Sequence, residues 1–494
     1  MVGCSLIDDQ SYPLCLTQER VLLFRELARR RSETWLPSVL RYGVQLNGDW
    51  PLARIKSALL ELLSRHPALC VVFTENVHLN SSSRARDLEL FRKTGVPAGG
   101  YYVQSAVIPT DLPVHTVNLS LAADQSRALF NLVKESESNE FGLGESPRLR
   151  VTLAKTSIRH SILILSIDHI VSDGFSLGIL REELNSLLTG CDNSTLPTPG
   201  FSYLEFAGWQ SLALSENFFA SDVLYWERSW AKFASARVAV GDLPFSLQSD
   251  SVVENEYDRV NTWCAEDESD AIRHSARTAN ITLFTFFLAA LAVVLSEYTG
   301  KARIAVWCHF ANRMRPHTGR SIGYFANTHL LGIDLSNHPT GAELLEQVSK
   351  DVLKSLAHQA LPLPALWKAL GRTPRVGDAT VLLDIRKTEN TFRTQDPLDA
   401  SLTSIDVPGP VLPRYSKFGI YVTHNDKAFM ISAEYVRSKF SRVGVEQFLK
   451  DLRLVLSSIS ANPNARVLGK ILLDLPNPRR HYAQPEPMED FIQF

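Results

Sequence analysis

The run Ser166-Ile-Asp-His-Ile-Val-Ser-Asp-Gly-Phe-Ser-Leu177 marks a change of period in the chain. Ahead of it and into its start, Ser161 to Ile167 is apolar on both faces, as in a strand buried in the middle of a sheet. Beyond it, Leu177, Leu180, Leu184 and Leu187 recur at helical spacing, so Phe175 to Leu188 reads as a helix with one buried stripe. The corner between them holds one histidine, His169, with Asp173-Gly174 four and five residues later. A histidine at such a corner can act as a general base, and the helix start offers backbone N–H groups to a developing negative charge. That arrangement suits transfer of an acyl group to an amine or alcohol. As a bare pattern His-x-x-x-Asp-Gly recurs by chance, so its neighbours must carry the argument.

Working outward, Leu16 to Ala28 reads as a first helix. Leu40, Tyr42, Val44 and Leu46 share one face of a strand over Ser38 to Leu46. Leu52 to Leu63 follows as a helix, then Ala68 to Phe73, Gln104 to Val117 and Leu149 to Leu153 as strands. Gly190 to Gly200 is rich in glycine, proline and small polar residues and is expected to be a linker. Past it, helices are expected over Tyr203 to Leu212, Ala220 to Phe233, Leu283 to Tyr298, Gly341 to Leu361 and Val443 to Ile459. Gly300 stands where a cap would end the third of these. Strands are expected near Val260 to Cys264, Ile304 to Phe310, Thr328 to Leu335, Ala379 to Ile385, Phe418 to Thr423 and Phe429 to Tyr435. Arg386 to Thr403 reads as a polar loop. The class is therefore α/β, with mixed sheets and flanking helices. The division expected is a first lobe over 1–190, a linker over 191–200, a second lobe over 201–475 and an extended or disordered tail over 476–494.

At 494 residues the chain exceeds one ordinary core. Its hydrophobic content of 45% and charged content of 21% are those of a soluble globular protein, and a net charge of −2 provides no basic field for nucleic acid or an anionic membrane. The six cysteines show neither metal spacing nor a disulfide framework, so a reducing cytoplasm is expected and no metal. No secretory signal is read near Asp8, Asp9 and Pro13. The apolar run Ile281 to Leu295 is short for a membrane span and fits a buried core helix.

Several collinear segments resemble the condensation-domain superfamily of nonribosomal peptide synthesis, whose members share the chloramphenicol-acetyltransferase-like fold. Pro13-Leu14-Cys15-Leu16-Thr17-Gln18-Glu19-Arg20 is similar to its opening segment, with Leu22 where tryptophan is frequent. Arg65-His66-Pro67-Ala68-Leu69 resembles the second segment, with Cys70 in place of a usual arginine. Pro147-Arg148-Leu149-Arg150 resembles the strand before the histidine motif, and Tyr203 to Gln210, Tyr225-Trp226 and Leu243-Pro244 the segment after it. Asn312-Arg313-Met314-Arg315-Pro316, Ile322 to Thr328 and His358 to Pro362 complete the series.

The resemblance implies two chloramphenicol-acetyltransferase-like lobes meeting in a V, with a tunnel between them and His169 at its middle. A carrier protein would present an acyl thioester on its phosphopantetheine arm, acting in trans with this chain, and an acceptor would enter from the other side. No bound cofactor is implied; phosphopantetheine or CoA thioester is the donor. His169 matches the catalytic histidine. Asp168 departs from the pattern, which usually has histidine there; buried, it would need a partner such as Arg313 or Arg315. Asp173 matches an aspartate that pairs with an arginine, and Arg150 is the matching arginine by position. Gly174 would allow close approach or lend its N–H to an oxyanion. Phe175, Trp307 and His309 are candidates for the substrate pocket.

Amide formation on an amine is the leading expectation. Ester formation on an alcohol, from carrier-bound or CoA thioester, uses the same base. A reading of another class is a non-catalytic module that recruits carrier proteins, for which loss of the histidine would be the signature. Epimerisation ranks low, because the chain has no Glu-Gly-His-Gly-Arg segment.

Overall fold

The doubly apolar run His160–Asp168 takes the centre of a five-stranded sheet, in the order Leu402–Ile405, Val39–Asn47, His160–Asp168, Leu149–Lys155, Val114–Asn118. Its neighbours run antiparallel except the last pair, which is parallel. The structure, a computed structural model, describes residues 4–6, 11–30, 39–76, 88–93, 96–97, 99–191, 193–247, 256–371, 381–387, 402–405 and 416–468. Leu163, Leu165 and Ile167 pack into the main core of this half. Ile164, pointing the other way, meets Leu129 and Val133 of the helix Gln125–Ser138. Alternation of side chains across a strand thus explains why the run is apolar throughout.

Helices Leu52–Arg65 and Gly174–Leu188 pack together beneath this sheet. They are pinned by Glu183, a fully buried carboxylate 2.7 Å from Arg65 Nε and 2.9 Å from His66 Nε2. The Arg65-His66 segment therefore serves the placement of the helix that begins at Gly174. A smaller sheet is built around Tyr102–Pro109, which pairs antiparallel with Cys4–Leu6, Tyr12–Pro13 and Val71–Glu75.

The second half builds a six-stranded mixed sheet in the order Asn327–Asp334, Arg303–Phe310, Val381–Lys387, Phe418–His424, Phe429–Val436, Tyr257–Trp263. Against it lies Leu283–Thr299, apolar on every side and buried under Gly341–Ala357 and Arg442–Ala461. Thr282 caps its start, and Gly300, at φ 68°, ends it in the left-handed conformation that favours glycine. Among the described residues no single helix is long and apolar enough to cross a membrane.

Two expected strands are drawn differently. Pro67–Cys70 is a 3-10 turn, so the strand begins at Val71. Gln104 to Val117 is not one strand. Tyr102–Pro109 and Val114–Asn118 lie in different sheets, and the prolines at 109 and 113 break the ladder between them. Helices Gln125–Ser138, Glu266–Thr278 and Leu363–Leu370 are additional. Of the expected loop over 386–403, the ends belong to strands and 388–401 lies outside the described residues, as does the tail over 476–494.

The 201–475 segment does not keep to its own half. Leu402–Ile405 pairs antiparallel with Val39–Asn47 at the edge of the first sheet. Helix Tyr203–Ser215 buries Tyr203, Phe206 and Ala207 against Cys15 and Ala68 of the first half and Phe325 of the second. The two halves are joined by strand pairing and by a shared apolar seam.

Candidate active site

His169 opens a 3-10 turn, His169–Val171, between the central strand and the helix Gly174–Leu188. Aspartates cap both sides of that turn. Asp168 accepts the backbone N–H of Ile170 at 3.2 Å, and Asp173 accepts that of Ser176 at 2.8 Å. The histidine is therefore held between two capped backbone segments. Its Nδ1 is buried within the corner, and its ring packs on Tyr324 with centroids 4.8 Å apart.

Asp168 is fully buried and held by two arginines of the first half. Arg25 donates through Nη2 at 2.8 Å and Nη1 at 3.3 Å; Arg148 donates through Nη2 at 2.7 Å. Burial alone would raise the carboxyl's pKa, but the charges of Arg25 and Arg148 hold it below the usual carboxylate range. Arg25 stands on the helix Leu16–Arg30, whose Gln18 also donates to the Ile170 carbonyl at 3.2 Å. The expectation of Arg313 or Arg315 as the partner of Asp168 is corrected. Register decides it: Leu149 faces Ile167 across the ladder, and Asp168 N–H bonds the Arg148 carbonyl at 3.0 Å.

Asp173 is bound by Arg313, whose Nη2 lies 3.0 Å from Oδ1, and not by Arg150. Its other oxygen accepts the backbone N–H groups of Phe325 and Ala326 at 3.1 and 3.2 Å. Arg150 sits opposite Ser166, two residues back from the corner. There it reaches Glu145, at 3.1 Å, and the carbonyls of Ser136, Asn139 and Glu140. Arg313 also lies over the rings of Phe175 and Phe325. The clasp on Asp173 thus ties the histidine corner to the second half.

A cavity of about 1030 Å³ opens between the halves, with His169, Gly174, Phe175 and Tyr324 on one side and His309 and Asp384 on the other. Phe175 is exposed to it, and His309 Nδ1 lies 2.8 Å from Thr328 Oγ1. Trp307 is not a cavity residue, which corrects that expectation. It shares a strand face with His309, but the helix Ala220–Phe233 covers that end of the strand, and Trp307 is 4% exposed beside Trp230. Cys308 is buried, which pushes its thiol well above its ordinary range and leaves it inert as a nucleophile. Among the described residues no cluster of His, Cys, Asp and Glu could hold a metal ion.

The model of the condensation domain matches residues 8–474. The chain belongs to the condensation-domain family. It is 28% identical to malpinin synthetase of Mortierella alpina over 471 residues, which is 94% of this chain and 6% of that protein. The chain thus spans a small part of that relative. Its fold is similar to the condensation domain from monacolin K polyketide synthase MokA, at TM-score 0.73 and 17% identity, covering 93% of this chain and 99% of that one. It is also similar to a mutant starter condensation domain of rhizomide synthetase RzmA in complex with C8-CoA, at TM-score 0.70 and 16% identity, covering 93% and 96%. Condensation domains are acyltransferase-type enzymes that form amide bonds between carrier-bound substrates in nonribosomal peptide synthesis. The fold is the chloramphenicol-acetyltransferase-like one that the resemblance implied.

Within this condensation domain, the sequence-predicted residues His169, Gly174, Phe175 and His309 all line the cavity. Arg25, Arg148 and Tyr324 were missed. The need for a cation at Asp168 was within reach, since a carboxylate ending a buried strand cannot stand alone.

Proposed function

We propose that this condensation domain transfers an acyl group from a phosphopantetheine thioester on a carrier protein to an amine, forming an amide, and that it works in the cytoplasm. The observation that carries the reading is His169, fixed on both sides by buried carboxylates and set on the wall of the inter-half cavity. As the acceptor nitrogen adds to the thioester carbonyl, the imidazole takes its proton. Collapse of the tetrahedral adduct breaks the C–S bond, and the proton is returned to the departing sulfur. The start of the helix at Gly174 offers backbone N–H groups to the oxyanion. The scattered cysteines, five of them free among the described residues, suit a reducing compartment.

Ester formation would use the same base on a hydroxyl, and a CoA thioester the same carbonyl chemistry. The RzmA starter condensation domain in complex with C8-CoA supports a CoA thioester as an alternative donor. The test is mass spectrometry of products from a panel of carrier-bound and CoA thioesters with amine and alcohol acceptors. General-base assistance is typically worth about 10²–10⁴ in rate, so His169→Ala is expected to lower product formation by that factor. An unchanged rate in His169→Ala would remove His169 as the base, and product formed no faster than without the protein would leave the carrier-recruiting reading in place of catalysis.

A further inference from the structure

The strand Val381–Lys387 crosses the floor of the cavity, and its polar end carries a side-chain pair that the transfer chemistry does not use. Asp384 and Arg386, two residues apart on one strand face, both line the cavity. Arg386 Nε donates to Asp384 Oδ2 at 2.6 Å, and Nη2 turns to the same oxygen. The carboxylate is only 12% exposed, whereas the guanidinium side chain is 42% exposed. One edge of the guanidinium is thus anchored by Asp384, leaving the Nη1 edge turned away from that anchor.

That free edge has a definite location. A Cβ built on Gly174 would lie 3.3 Å from Arg386 Cζ and 3.6 Å from Nη1. The cation from the second half therefore lies against Gly174, in the corner that holds His169. Of the other charges on the cavity wall, Asp173 is taken up by Arg313 and Lys387 is paired with Asp426 at 3.3 Å. Glu182 is engaged by Arg320 at 2.8 Å. A planar guanidinium held by one edge is the arrangement that recognises a second carboxylate through its other edge.

We propose that Arg386, anchored by Asp384, is a specificity-determining residue that binds a carboxylate on one of the two substrates joined at His169. The inference rests on the acyl-transfer reading and narrows it to a substrate class: a dicarboxylic acyl donor, or an amino-acid acceptor whose own carboxylate is free. The phosphate of a pantetheine arm is the other anion this chemistry offers. It is separated from the thioester by the whole arm, while Arg386 overhangs the corner that carries His169, so the carboxylate is favoured.

The test is equilibrium binding to the full chain carrying His169→Ala, which does not depend on turnover. The donor arm compares glutaryl-pantetheine with pentanoyl-pantetheine; the acceptor arm compares 4-aminobutyrate with butylamine. In at least one arm the carboxylate probe is expected to bind more tightly than its neutral counterpart. Adding Arg386→Gln should cut that preference by about 10- to 100-fold, the worth of a charge-assisted hydrogen bond. Arg386→Lys, which keeps the charge, should retain part of it. Asp384→Asn, which frees the anchor, should weaken it. No carboxylate preference in either arm, or one that survives Arg386→Gln in a variant with an unchanged thermal midpoint, overturns the proposal. Failure of the transfer chemistry itself would register separately, as absence of product with His169 intact.

Discussion

At the scale of single residues, Asp168 shows how one substitution is absorbed by its surroundings. The resemblance implies histidine at this position, and here a carboxylate is sealed between Arg25 and Arg148 with no exposure to water. Each arginine is itself buried, and Arg25 Nε finds Glu140 at 3.5 Å. Removing one partner of a buried ionic cluster leaves uncompensated charge and costs roughly 3–5 kcal/mol. Asp168→His therefore moves the chain toward the family pattern yet is expected to lose about that much stability, because two buried cations would then face an imidazole. Urea denaturation measures this; a loss under about 1 kcal/mol would show that the arginines find other partners. The need for a partner was legible from the sequence, since a carboxylate at the end of a buried strand cannot stand alone. The identity of the partner was not. Arg148 and Arg150 alternate onto the same strand face, and only the register of the ladder puts Arg148 beside Asp168. Arg313, expected at Asp168, holds Asp173 instead, across 140 residues of chain.

At the scale of elements, the strand–corner–helix unit was readable because its hydrophobic period changes abruptly at His169. The same holds for Ala220–Phe233 and Leu283–Thr299, where long apolar patterns fix the element. What could not be read was the exchange of elements between halves, since pairing of Leu402–Ile405 with Val39–Asn47 leaves no local mark. The segment Ile322 to Asn327 is the clearest case of an element whose role lies in its contacts. Gly323 donates its N–H to Ser176 Oγ at 3.1 Å and accepts from the same hydroxyl at 2.9 Å. Tyr324 then packs on His169, and Phe325 and Ala326 bind Asp173. A Cβ on Gly323 would come within 2.3 Å of the Tyr203 ring, which is 1% exposed. Gly323→Ala must push this segment away from the histidine corner. Overpacking of this kind costs about 1–3 kcal/mol, and activity should fall further than stability alone explains. The check is product formation measured well below the thermal midpoint; activity equal to that of the unaltered chain would detach this segment from the site.

At the scale of the whole molecule, two buried groups that do not line the cavity give stability opposing dependences on pH. His329 is fully buried, stacked on Trp226 with centroids 4.2 Å apart and planes 5° from parallel. Burial drives its pKa from 6.5 down to about 3. The unfolded chain then binds the extra proton, so the contribution of His329 is present above pH 6.5 and is lost as pH falls. Glu19, 1% exposed beneath the backbone of Gly100 to Tyr102, is raised by burial from 4.5 to about 7. There the folded chain binds the extra proton, so its contribution is present below pH 4.5 and is lost as pH rises through 7. Between pH 7 and pH 5 each effect amounts to about 2 kcal/mol, with opposite signs. The two terms should therefore nearly cancel in the unaltered chain over this interval. His329→Phe keeps an aromatic ring against Trp226 and removes the titration, leaving the term from Glu19 unopposed. Its unfolding free energy is expected to rise, relative to the unaltered chain, by about 2 kcal/mol on going from pH 7 to pH 5. Urea denaturation of both proteins at the two pH values measures the difference of slopes directly, whatever the variant's absolute stability. Parallel slopes would mean that the folded protein lets His329 take up its proton at pH 5, which a ring sealed between Trp226 and Phe310 could do only by opening the core of the second half.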